Sequence, residues 1–137
     1  MLTLTSRPSN PEDLLYVHDT WLNSWRTSPW AGCVPNHLFF DTQRATIAGL
    51  LARGASVRIC HFAESPELIQ GWCCFEQKEG ITILHYLYAG DPFLEPAIID
   101  HFKDTVLGNS GFITHQQNKK AFRKWKHVPE IARRKSL

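Results

Sequence analysis

From Gly54 onward the hydrophobic period changes from helical to alternating. "ASVRICHF" places Val57 and Ile59 on one side and Arg58 and Cys60 on the other. "LIQGWCCFE" follows after "ESPE", and "ITILHYLY" after "QKEG". Successive side chains of a strand point to opposite faces, so such runs are stable only with one or both faces covered, and turns this short permit antiparallel neighbours. A three-stranded antiparallel meander is therefore expected at the centre of the chain. Whatever surrounds it must cover its faces.

The flanking segments read as those covers. "LTLTS" predicts a short first strand. "SNPED" supplies an N-cap and an acidic first turn for a helix running to about Arg26, with Leu14, Val17, His18, Trp21 and Trp25 at helical spacing. Pro29, Gly32 and Pro35 make "TSPWAGCVPNH" a loop. Asp41 or Thr42 caps a second helix through Leu51, ended near Arg53-Gly54. After the meander, Glu95 to about Leu107 predicts a third helix, "GFITH" a fifth strand and "NKKAFRKW" a short basic helix. The order is strand, helix, helix, three strands, helix, strand, helix, an α+β single domain that 137 residues and 43% hydrophobic content can fold around one core.

No apolar run approaches the roughly 18 residues that span a bilayer, and "MLTLTSRPSNPED" lacks the basic and apolar regions of a signal peptide. The expectation is a soluble, cytoplasmic protein with no membrane partner. Cys33, Cys60, Cys73 and Cys74 then serve as small hydrophobes rather than a disulfide framework. A metal site is disfavoured, because adjacent Cys73 and Cys74 face opposite sides of a strand and no C-x-x-C occurs. Charge is uneven. Residues 1–118, the expected body, carry 7 Lys+Arg against 12 Asp+Glu, whereas residues 119–137, a basic helix and tail of the same domain, carry 8 against 1.

The order of elements resembles the GNAT superfamily of acyl-coenzyme A dependent N-acyltransferases across nearly the whole chain, and "SWRTSPWAG", "GWCCFE" and "LHYLY" resemble segments of small GNAT-like proteins of tailed phages. The resemblance implies a mostly antiparallel mixed sheet whose fourth strand, Ile81 to Tyr88, splays from the fifth. Acetyl-CoA or another acyl-CoA would enter the gap as co-substrate, its pyrophosphate resting on the loop and helix that begin "AGDPFLEPAII". Residue by residue, the implied coenzyme contacts are Leu87, Tyr88 and Ala89 through backbone N–H groups, Ala97 and Ile98 in the pyrophosphate turn, Asn118, and Arg123. The family's Q/R-x-x-G-x-G/A motif falls on Leu94 to Ile99, where Leu94, Ala97 and Ile99 all depart from it, and Glu95 adds a charge that repels phosphate. In the pattern N-x-x-A-x-x-L-Y, Asn118 and Ala121 match, but Trp125 stands where a tyrosine often protonates the leaving thiolate, and indole is no general acid.

The expected reaction is direct attack by an amine acceptor. Glu76, His85 and Tyr88 are the candidate catalytic residues, with Glu76 or His85 taking the amine proton and Tyr86 or Tyr88 serving the thiolate. Tyr86 and Trp30 are the candidate acceptor-binding residues. Each has a plainer alternative: Glu76 as a surface carboxylate at a strand end, His85 as a satisfied half-buried histidine, Trp21 and Trp25 as core. A non-catalytic GNAT-like module of phage type stays open beside the enzyme. It would bind nucleic acid or a host protein through Lys119, Lys120, Arg123, Lys124, Lys126, Arg133, Arg134 and Lys135, with Trp125 as a stacking surface.

Overall fold

The computed structural model describes residues 2–26, 36–115 and 120–133, and within these all side chains but those of residues 25, 36–39 and 133. Trp30, Cys33, Asn118 and Lys119 therefore lie outside the described residues. Strand β1 (Leu4–Pro8) precedes helices α1 (Pro11–Arg26) and α2 (Asn36–Ala52). The meander is β2 (Ser56–Phe62), β3 (Ser65–Lys78) and β4 (Ile81–Ala89). Helix α3 (Glu95–Phe102) continues into a π-helical turn, Lys103–Leu107, followed by β5 (Gly111–Ile113), β6 (Trp125–His127) and a 3-10 turn, Pro129–Arg133. The described strands form one sheet in sequence order, β1 to β6, antiparallel from β1 through β4 and parallel from β4 through β6. The α+β class and the antiparallel meander are as expected.

Helices cover both faces of the sheet. On one, Val17, Trp21, Leu22, Ile47 and Leu50 from α1 and α2 pack on Val57, Ile59, Trp72, Cys74 and Tyr86. On the other, Ile98, Ile99 and Phe102 from α3 pack on Cys60, Cys73, Phe75, Leu84 and Leu87. Alternation along β3 allots its side chains to the two cores in turn. Gly71 lets α3 come close, since a Cβ there would strike the Tyr88 carbonyl oxygen and meet the Ile98 side chain. Cys60, Cys73 and Cys74 are 0% exposed, and burial raises their thiol pKa values, that of Cys60 to about 11, so they act as apolar filling.

Helix α1 begins with a reciprocal box. Asp13 N donates to the Asn10 side chain at 3.0 Å and Asn10 N to Asp13 Oδ2 at 2.8 Å, while Arg7 from β1 clamps the same carboxylate at 2.7 and 3.1 Å. The Arg7 guanidinium, with help from Asn10, holds the Asp13 carboxyl below its usual range.

Four expectations are corrected. Helix α2 starts at Asn36, five residues before the expected Asp41 cap, so Asn36 and His37 are helical. The expected "ESPE" turn is mostly strand, because β3 starts at Ser65. Residues 120–124, the expected basic helix, form turns that lead into β6, and Trp125–His127 pair with Gly111–Ile113 at the sheet edge. Trp125 is no exposed stacking surface: it is 6% exposed, edge-on to Phe122 at 5.7 Å. No described helix is long and apolar enough to cross a membrane.

Candidate functional site

The β3–β4 pairing carries the feature that builds the site. Cys74 lies opposite Tyr86 but Phe75 opposite Leu84, so His85 is an extra residue, a β-bulge in β4. Leu84 faces α3 and Tyr86 faces α1 and α2, so His85 between them cannot keep strict alternation with both. The bulge lets it share the α1/α2 side with Tyr86, where it meets Glu76.

There the side chains join in a closed polar network. Arg53, just past α2, donates to Glu76 Oε1 from Nε at 2.9 Å and from Nη2 at 2.5 Å, and to the Ile131 carbonyl from Nη1 at 2.8 Å. His85 Nε2 lies 2.5 Å from the same Glu76 oxygen, and its Nδ1 lies 3.0 Å from Thr114 Oγ1. Glu76 is 8% exposed, His85 1% and Thr114 8%. Glu76 is therefore no surface carboxylate, which removes that alternative. Burial, with Arg53 adding to it, lowers the His85 pKa although Glu76 opposes the shift, so the ring is neutral at neutral pH.

Beside this network the aromatic candidates lie on one face. Tyr86 stacks on Trp21 at 5.5 Å and its hydroxyl is hydrogen-bonded to Ser24; burial raises its pKa, so the phenol keeps its proton. Tyr88 stacks on Trp72 at 5.9 Å and meets Tyr16 edge-on at 6.4 Å. Leu87 is buried on the opposite face against α3. The β4–β5 ladder comprises Ile83 with Phe112 and Leu84 with Ile113, extended by Thr114 N donating to the Leu84 carbonyl. Beyond it, toward Ala89, the His115 ring lies 5.0 Å from the ring of Tyr86.

Burial, and secondarily His127, pushes the His115 pKa down to about 4. An unfolded histidine titrates near 6.5, so between pH 6.5 and about 4 the unfolded chain takes up a proton that folded His115 refuses. Stability is fully present above the unfolded value and falls across that window. His115→Asn should flatten the decline in urea midpoint from pH 6.5 to 4; the same slope in parent and variant would refute the assignment.

The loop before α3 differs from a phosphate cradle. Asp91 closes it on itself, accepting from Phe93 N at 2.9 Å through its side chain and from Leu94 N at 2.9 Å through its carbonyl. Glu95 N donates to the Pro92 carbonyl at 3.4 Å, Ile98 N to Leu94 at 2.9 Å, and Pro96 has no N–H. In the first turn of α3, Ala97 N–H is the donor that remains for a ligand.

An open cleft lies further along the same helix. It has a volume of about 550 Å³ and runs between α3 with its π-turn and the turns at residues 120–124. Lys103, Lys120, Arg123 and Lys124 line it with one acidic residue, Asp100, together with Pro96, Ile99, Asn109 and Ala121. Lys103 donates to the Ala121 carbonyl and lies 5.0 Å over the Phe122 ring, which fixes the turn against α3. Among the described residues Lys120, Arg123 and Lys124 are exposed and make no ion pair.

The structure thus groups Glu76 with His85 and Tyr86 with Tyr88 on one face, and places Arg123 in a cleft against the other. Arg53, Thr114, Lys103, Ser24 and His115 were not singled out from the sequence. No three His, Cys, Asp or Glu residues among those described could share a metal ion. No protein-family model, no curated protein and no solved structure matches the chain.

Proposed function

We propose that this protein is an acyl-coenzyme A dependent N-acyltransferase, acting on an amine acceptor, that holds its co-substrate's phosphates in the basic cleft between α3 and residues 120–124. The observation that carries the reading is the concentration of Lys103, Lys120, Arg123 and Lys124 against Asp100 in a cleft of about 550 Å³, on a chain whose first 118 residues are acidic. A phosphate-rich ligand is attracted there and repelled elsewhere. The size is that of a typical small-molecule site. Basic side chains then do the work that the first turn of α3, with Ala97 N–H as its open donor and Glu95 beside it, cannot. When bound, the thioester supplies an activated acyl group; the chain's residues orient it, exclude water and move a proton.

A second reading, a non-catalytic module binding nucleic acid or a protein, draws on the exposure of Arg123 and Lys124. One variant separates the two. Arg123→Ala with Lys124→Ala should weaken acetyl-CoA binding by about tenfold, the worth of one or two partly exposed charge contacts. Calorimetric titration with acetyl-CoA, and separately with a short DNA duplex at two salt concentrations, provides the comparison. Duplex binding that falls steeply with salt and collapses in the variant, while acetyl-CoA never binds, would establish the second reading instead.

A further inference from the structure

The Glu76–His85 pair is sealed from substrate by its own partners, yet one of those partners stands at the end of a strand. The Glu76 carboxylate, ion-paired with Arg53, can only accept hydrogen bonds, so the 2.5 Å contact requires His85 Nε2 to carry the ring proton. His85 Nδ1 then holds a lone pair, and the Thr114 hydroxyl at 3.0 Å must donate to it. A hydroxyl that gives its hydrogen to an imidazole, which in turn gives its own to a fixed carboxylate, is the arrangement that makes an oxygen basic. Three features fix this geometry. The bulge in β4 aims His85, the hydrogen bond from Thr114 N to the Leu84 carbonyl sets the backbone of Thr114, and Arg53 anchors Glu76.

We propose that Thr114 Oγ1 is the catalytic hydroxyl of this chain, taking the proton of the acceptor amine while passing its own to His85 Nδ1. Thr114 is the first residue beyond the carboxyl end of β5, beside the middle of β4, where the described pairing of these two parallel strands ends and β4 runs on to Ala89. The inference rests on the acyltransferase reading and deepens it. As the amine nitrogen attacks the thioester carbonyl, the N–C bond forms and a proton leaves nitrogen for Thr114 Oγ1. The threonine proton moves to His85, and the imidazolium formed is held by Glu76. The C–S bond then breaks, and the same path in reverse returns one proton to sulfur, so protons and charge balance with no further reactant. Glu76 and Arg53 are positioning residues, because they act through His85.

The test uses acetyl-CoA with benzylamine or spermidine, thiol release as the readout, and the full chain. Thr114→Val should lower kcat about a hundredfold, the lower range for loss of general acid–base catalysis, and leave KM for acetyl-CoA unchanged. Thr114→Ser, which keeps the hydroxyl, should restore most of the rate. A valine variant within threefold of the parent overturns the inference. Nitrogen NMR of the parent gives a reading that needs no turnover: His85 must be protonated on Nε2 and bare on Nδ1, and the opposite tautomer overturns the proposal. If acetyl-CoA binds and neither amine releases thiol, the relay has no reaction and falls alone. If acetyl-CoA does not bind, the acyltransferase reading fails first and takes the inference with it.

Discussion

Glu76→Ala should destabilise the fold by about 3–5 kcal/mol, the cost of breaking a buried ion pair from one side. Removing the carboxylate strands two groups at once. The Arg53 side chain, 5% exposed, loses the oxygen that accepts from both its Nε and its Nη2 and keeps its bond to the Ile131 carbonyl, and His85 Nε2–H, in a side chain 0% exposed, loses its acceptor at 2.5 Å. For a chain of this length the loss lowers the melting temperature by roughly 10–15 °C. Thermal unfolding followed by circular dichroism measures it. Arg53→Met combined with Glu76→Leu should cost less than Glu76→Ala, since no unpaired charge is left behind. A loss below about 1 kcal/mol for Glu76→Ala would mean that solvent reaches the pair, and the account of a sealed network would be wrong.

Trp72→Ala carries a penalty of similar size, about 3–5 kcal/mol, from a different cause. The Trp72 side chain is 0% exposed at the middle of β3, with ring contacts to Trp21 at 5.2 Å, Tyr86 at 5.7 Å and Tyr88 at 5.9 Å. Its indole N–H donates to Thr20 on α1 at 2.9 Å, so it ties helix to sheet. Truncation leaves a large cavity between layers that are fixed by other contacts and cannot close fully. Trp72→Phe keeps most of the ring packing and should cost much less, chiefly the hydrogen bond. Urea midpoints at constant m-value would separate the two; equal losses in both variants would show that the hydrogen bond, not the packing, dominates.

The meander was legible because β2, β3 and β4 are long enough for alternation to repeat, and because Gly54 and Gly80 mark its start and its second turn. Strand β6 was not. Three residues with two basic side chains carry no period, and their pairing with β5 comes from tertiary contact that overrides local preference. Helix α2 was read too short because its first turn carries no acidic residue and the Asp41 cap signal lies inside the helix. At the candidate site, Glu76, His85, Tyr86 and Tyr88 were found by residue type and strand position. Their grouping was hidden, since it depends on a one-residue bulge set by the unequal pairing of β3 and β4. Arg53 is 23 residues from Glu76 and Thr114 is 29 from His85, distances over which sequence spacing carries no signal. The C-terminal charge was plain in the sequence, but not its apposition to Lys103 across a cleft.

The most direct test of the central claim is the melting temperature of the full chain with and without acetyl-CoA. With the ligand at about a hundred times its dissociation constant, binding to the folded state adds roughly 2.7 kcal/mol, a rise of several degrees that Arg123→Ala with Lys124→Ala should reduce. An unchanged melting temperature at millimolar acetyl-CoA would contradict the account, leaving the basic cleft without the ligand assigned to it.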